Sequence, residues 1–85
     1  TKHLVLVIED DALVRDALVG TLCAWGIEVE AAASAEQAQR IVTDSELIYD
    51  TIVTDWRLPL ERTGAEVVSL VREAARLLIP AIIVT

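Results

Sequence analysis

Leu4-Val5-Leu6-Val7-Ile8 is an unbroken apolar run rich in β-branched residues, the pattern of a strand in a parallel sheet covered on both faces. Asp11 stands where it can cap a following helix. Val14, Leu18, Leu22 and Trp25 then recur at helical spacing, while Arg15, Asp16 and Thr21 face elsewhere. Gly26 ends that helix. Ile27-Glu28-Val29-Glu30-Ala31 alternates apolar with acidic, which predicts a strand with one wet face, as at a sheet edge.

Ser34 with Gln37 forms a capping box, and Ala38, Ile41 and Val42 give the helix it opens a modest apolar stripe. Thr51-Ile52-Val53-Thr54 predicts a third strand running straight into Asp55, after which Leu58-Pro59 breaks regular structure. Thr63 and Glu66 form a second capping box. The helix they open places Val67, Leu70, Val71, Ala74 and Leu78 on its buried side, and Pro80 stops it. Ala81-Ile82-Ile83-Val84 is a fourth strand, followed by Thr85. Strands alternating with helices of this length imply right-handed crossovers and a parallel α/β sheet, here a single domain over residues 1–85. In such sheets the site lies beyond the carboxyl ends of the strands, where strand order reverses.

Composition narrows the class. The chain is 54% hydrophobic and 25% charged, the balance of a compact soluble protein with a real core. The runs Leu4–Ile8 and Leu77–Val84 fall far short of the roughly 20 residues a membrane helix needs. Cys23 is the only cysteine and no basic leader opens the chain, so a cytoplasmic setting is expected. A net charge of −7, with Lys2 and six arginines spread along the chain, disfavours direct grip on nucleic acid or on a membrane surface. The expected partner is a protein or a metal ion.

Glu9, Asp10 and Asp11 follow the first strand, Asp55 the third and Thr85 the fourth, so all gather at one edge of the sheet. Carboxylates packed closely repel, and keeping them ionised calls for a cation; oxygen donors from one or two carboxylates suit Mg²⁺. A carboxylate can also act as a nucleophile and form an acyl phosphate, with a divalent ion neutralising the gathering charge. Asp55, standing singly at a strand end, suits that role, whereas adjacent Glu9 and Asp10 suit a shared metal. The Thr85 hydroxyl is placed to hydrogen-bond a phosphoryl oxygen. Asp11 suits a helix cap. Taken alone, Asp55 is an ordinary loop aspartate and Thr85 a strand-end threonine. His3 reads as an exposed flank, Cys23 and Trp25 as packed in or beside the first helix, with a contact surface as the other reading of Trp25, and Trp56-Arg57 as loop packing or partner contact.

Three stretches in order carry a resemblance: Val7-Ile8-Glu9-Asp10-Asp11-Ala12-Leu13-Val14-Arg15, then Tyr49-Asp50-Thr51-Ile52-Val53-Thr54-Asp55-Trp56-Arg57-Leu58-Pro59, then Ile79-Pro80-Ala81-Ile82-Ile83-Val84-Thr85. Along its whole length the chain resembles the receiver domain of two-component response regulators and hybrid sensor histidine kinases. The resemblance implies a flavodoxin-like three-layer sandwich with strand order 2-1-3-4-5. It implies Glu9 and Asp10 as the acidic pair, Asp55 as phosphoacceptor and metal ligand, the Arg57 backbone carbonyl as a further metal ligand, and Thr85 as the switch hydroxyl. It further implies Mg²⁺ as cofactor and a histidine kinase or histidine phosphotransfer domain as partner. Phosphorylation would shift a population of conformations and change a partner surface.

The family continues past this threonine into a fifth strand, bearing a phosphoryl-contacting lysine, and a fifth helix. Neither lies in residues 1–85, and Lys2 matches no family position, so a C-terminally incomplete domain is expected. Without a fifth strand, residues 81–85 would be an unpaired apolar edge; pairing of that edge across a dimer is the second expectation. Two other functions stand beside the phosphoacceptor switch of a phosphorelay. One is a degenerate receiver acting only as a protein-interaction module, and the other a Mg²⁺-dependent phosphohydrolase, for which a second acid near Asp55 is lacking. The domain itself is then mainly a phosphoacceptor switch; whether it is free-standing or part of a hybrid histidine kinase, and so whether the protein is an enzyme, the residues leave open.

Overall fold

The computed structural model describes residues 3–44, 49–55, 57–58, 62–75 and 79–84. The elements in chain order are β1 (Leu4–Ile8), α1 (Ala12–Ala24), β2 (Glu28–Ala32), α2 (Ala35–Asp44), β3 (Thr51–Asp55), β4 (Arg57–Leu58), β5 (Arg62–Thr63), α3 (Gly64–Ala75) and β6 (Ala81–Val84). Strands β2-β1-β3-β6, all parallel, form the main sheet, and β4 and β5 form a small antiparallel ribbon. In the order of its four main strands the sheet runs 2-1-3-4, as the flavodoxin-like topology requires.

This order fixes where the helices go. From β1 the chain steps one way to β2, then back across β1 to β3 and on to β6. Right-handed crossovers therefore put α1 on one face of the sheet and both α2 and α3 on the other. The packing agrees. Leu4, Leu6, Ile8 and Ile52 join Ala38 and Val42 of α2 and Val67, Val68 and Val71 of α3 in one buried cluster, with Leu70, Ile41 and Ala81 at its margin. The alternate residues Val5 and Val7 are buried as well but lie outside that cluster, toward α1. All five residues of β1 are therefore buried, as its unbroken apolar run predicts.

On the α1 face, burial falls away across the sheet. Val7, Val53 and Ile82 are register partners on one face; Val7 is fully buried, Val53 half-buried, and Ile82 is 56% exposed. The helix α1 packs over β1 and β2. Among the described residues its main neighbours are these two strands, with no second helix packed against it to the same extent. The helix consequently has no fully buried side chain, and Leu13 and Trp25 are 83% and 73% exposed. The expectation that Cys23 and Trp25 pack in or beside α1 is corrected here: both are exposed, because periodicity reveals an apolar face but not whether anything covers it.

Local signals explain the element ends. Asp11 is extended (φ −78°, ψ 117°), and its carboxylate accepts from the amides of Leu13 and Val14, capping α1. Gly26 follows the C-cap Trp25 at φ +80°, a left-handed conformation natural to glycine. The Ile27 amide still donates to the Leu22 carbonyl, closing the helix, so β2 begins one residue later than the alternation suggests, with the Glu28 amide bonded to the His3 carbonyl. As expected, β2 is a sheet edge, and Glu28 and Glu30 point to water.

Ser34 Oγ accepts from the Gln37 amide, while Gln37 Oε1 reaches back to the Ala33 amide rather than to that of Ser34. Thr63 Oγ1 likewise accepts from the Glu66 amide and donates to the Glu66 carboxylate. Arg72 Nε donates to the Ile79 carbonyl at 2.8 Å, tying α3 to the approach to β6. Leu78 lies outside the described residues, and α3 ends at Ala75. No described helix is long and apolar enough to cross a membrane.

Candidate functional site

The topological switch point lies between β1 and β3, the pair from which the chain leaves in opposite directions. Register pairs Ile8 with Thr54 at the carboxyl ends of these strands. The next residues along the two strands are Glu9 and Asp55, on strands spaced about 4.8 Å apart. On the far side of β3, Asp55 pairs with Val84. The backbone thus brings Glu9, Asp10 and Asp55 to one sheet edge, and Thr85 is the residue after Val84. The side chain of Asp55 and the whole of Thr85 lie outside the described residues.

Glu9 sits where strand gives way to helix, and most of its polar groups are held. Its amide donates to the Ala32 carbonyl at 2.9 Å, extending the ladder to β2 by one bond. Its Oε1 accepts from the Asp11 amide at 3.1 Å, and its carbonyl accepts from Arg15 Nη1 at 2.9 Å. Glu9 is buried, at 6% exposure, whereas Asp10 and Asp11 are exposed. Asp11 is engaged as the α1 cap. Asp10 is the acid turned to solvent.

Arg15 departs from the sequence reading, which placed it on a face turned elsewhere. It is half-buried and folds back over the first turn of α1 to the Glu9 carbonyl. The signal available in the sequence was an arginine one turn into the helix that follows an acidic pair. Of the further candidates, Arg57 lies in β4, paired with Thr63, with its side chain outside the described residues. Trp56 and Lys2 lie outside them too.

Among the described residues no three His, Cys, Asp or Glu side chains are grouped to hold a metal ion. The described donors are the carboxylates of Glu9 and Asp10, both hard oxygen ligands. That chemistry fits Mg²⁺ and not a soft, thiolate-seeking metal.

The sequence pattern of the response regulator receiver domain matches residues 5–85. The chain belongs to that family. No curated protein matches it. Among solved structures, it is similar to a response regulator receiver protein from Pseudomonas putida, with 31% identity and a TM-score of 0.82 over 99% of this chain and 68% of that one. A chemotaxis protein from Vibrio cholerae gives 28% identity and a TM-score of 0.82 over 98% of this chain and 68% of that one. The receiver domain of the hybrid histidine kinase CckA gives 26% identity and a TM-score of 0.82 over 94% of this chain and 72% of that one. The chain spans about two thirds of the length of these structures. Receiver domains as a family bind Mg²⁺ and interact with histidine kinases or phosphotransfer proteins.

Proposed function

We propose that this chain is a phosphoacceptor switch of a two-component phosphorelay, in which Asp55 takes a phosphoryl group from a phosphohistidine on a histidine kinase or phosphotransfer partner. The observation that carries the reading is the register of β1 with β3, which supports a shared site for Glu9, Asp10 and Asp55 at the switch point of a receiver fold. In the reaction a carboxylate oxygen of Asp55 forms a bond to phosphorus as the phosphorus–nitrogen bond breaks, and the imidazole leaves with the electron pair. Hydrolysis of the resulting acyl phosphate by water restores the carboxylate and releases inorganic phosphate.

Glu9, Asp10, Asp55 and the Arg57 carbonyl would hold Mg²⁺, which supplies neutralisation of the negative charge gathered by three carboxylates and a phosphoryl group. The buried Glu9 gives a fixed anchor and the exposed Asp10 an accessible oxygen. Thr85, following the residue paired with Asp55, would supply the hydroxyl that meets a phosphoryl oxygen and couples the site to a partner surface.

Intact-mass measurement after incubation with a small acyl phosphate and Mg²⁺ tests the reading. The expected result is one phosphoryl addition, lost in Asp55→Asn and in EDTA. No addition in a protein that binds Mg²⁺ would leave an interaction-only module. Steady turnover of an added phosphate monoester would favour a phosphohydrolase instead.

A further inference from the structure

The hydrogen bond from Arg15 to the Glu9 carbonyl has a geometric consequence for the residue beyond it. That carbonyl belongs to the peptide linking Glu9 to Asp10, and a peptide is a rigid plane. One end of residue 9 is held by the sheet through its amide at 2.9 Å, and its carboxylate is held by the Asp11 amide at 3.1 Å. The remaining backbone handle, the carbonyl oxygen past the end of β1, is held by Arg15 Nη1 at 2.9 Å. Fixing this oxygen fixes the rotation of the peptide plane and with it the Cα of Asp10. The guanidinium reaches the carbonyl from the first turn of α1, where the Arg15 amide donates to the Asp11 carbonyl at 2.8 Å. The clamp is therefore anchored in the helix that Asp11 caps.

We infer that Arg15 is a positioning residue for the Mg²⁺ site: by holding the Glu9–Asp10 peptide plane it sets where the exposed Asp10 carboxylate stands relative to buried Glu9. This rests on the reading of Glu9 and Asp10 as metal-binding acids. Arg15 does not itself ligate the metal, since a guanidinium has no lone pair to offer at neutral pH. Its role separates from simple electrostatics by sign. A cation beside two carboxylates repels a dication, so by charge alone its removal strengthens Mg²⁺ binding. Positioning predicts the opposite.

The test is calorimetric titration of the protein with MgCl₂ for wild type, Arg15→Met, Arg15→Lys and Asp10→Asn, with melting midpoints recorded in EDTA. Arg15→Met is expected to bind Mg²⁺ roughly tenfold more weakly, the low end of the effect of groups that orient metal ligands. Arg15→Lys, which keeps a donor of similar reach, is expected to recover most of that loss. Arg15→Gln, uncharged and too short to span the turn, replaces the Met variant if the latter does not fold, with the same expected loss. Unchanged or tighter Mg²⁺ binding by the folded, uncharged variant, with wild type binding normally and Asp10→Asn impaired, overturns the positioning role alone. A wild type with no saturable Mg²⁺ response overturns the site reading, and the role of Arg15 with it.

Discussion

Replacing Asp11 with alanine isolates the device that starts α1. The lost carboxylate oxygen accepts from the Leu13 amide at 2.9 Å and the Val14 amide at 3.3 Å, leaving two first-turn donors to water. Removing such a cap costs about 1 kcal/mol, and removing its negative charge from the helix N-terminus adds roughly 0.3–1 kcal/mol. Packing offers α1 little compensation, because none of its side chains is fully buried. For a domain of this size each kcal/mol moves the melting midpoint by about 4–8 °C, so Asp11→Ala should melt roughly 5–15 °C below wild type. Asp11→Asn keeps an accepting oxygen and should lose only a few tenths of that energy beyond the charge term. Because Asp11 is engaged as a cap, Asp11→Asn should also keep its Mg²⁺ affinity within about fivefold, the effect of one missing nearby charge through water. Thermal denaturation by circular dichroism and Mg²⁺ calorimetry read the two quantities. An Asp11→Ala midpoint equal to wild type would refute the capping argument. A well-folded Asp11→Asn that loses Mg²⁺ binding by about a hundredfold would make Asp11 a ligand instead.

Three further substitutions probe the scaffold. Leu6 is fully buried between β1 and the α2–α3 layer, so Leu6→Ala should cost about 2–5 kcal/mol, a large part of a stability of roughly 5–15 kcal/mol; a shift in the urea midpoint equivalent to less than 1 kcal/mol would contradict this. A Cβ at Gly26 would meet no atom within 4 Å, so the roughly 1–2 kcal/mol cost expected for Gly26→Ala comes from the φ of +80° alone. Gly26→Asn should then be milder, and equal losses in thermal melts would point to a steric cause. Arg72→Met removes the bond to the Ile79 carbonyl and should cost about 1 kcal/mol in chemical denaturation without altering Mg²⁺ affinity.

Much of this architecture is legible in the residues themselves. The run from Leu4 to Ile8 is continuous because β1 is central and covered on both faces, and Glu28 and Glu30 alternate with apolar residues because β2 is an edge. Burial patterns of this kind are local and periodic. What needed coordinates was relational. The apolar stripe of α1 looks the same in sequence whether or not another element covers it, so the exposure of Leu13 and Trp25 could not be read. Strands β4 and β5 hold two residues each, too few to show a period. The reach of Arg15 back to Glu9 depends on a rotamer folded across a helical turn and not on spacing. For the candidate site, the strand ends that gather Glu9, Asp10 and Asp55 follow from element order. Their chemistry comes from the family resemblance.

Chemical trapping of the acyl phosphate shows whether Asp55 accepts the phosphoryl group. The protein is treated with a small acyl phosphate and Mg²⁺, reduced with borohydride and digested. Reduction of an aspartyl phosphate converts that residue to homoserine, which peptide sequencing by mass spectrometry locates. Homoserine is expected at Asp55, with none in EDTA and none at Asp10, Asp11 or Asp50. Homoserine at another aspartate, or a phosphoryl group carried on His3 with Asp55 unmodified, would contradict it.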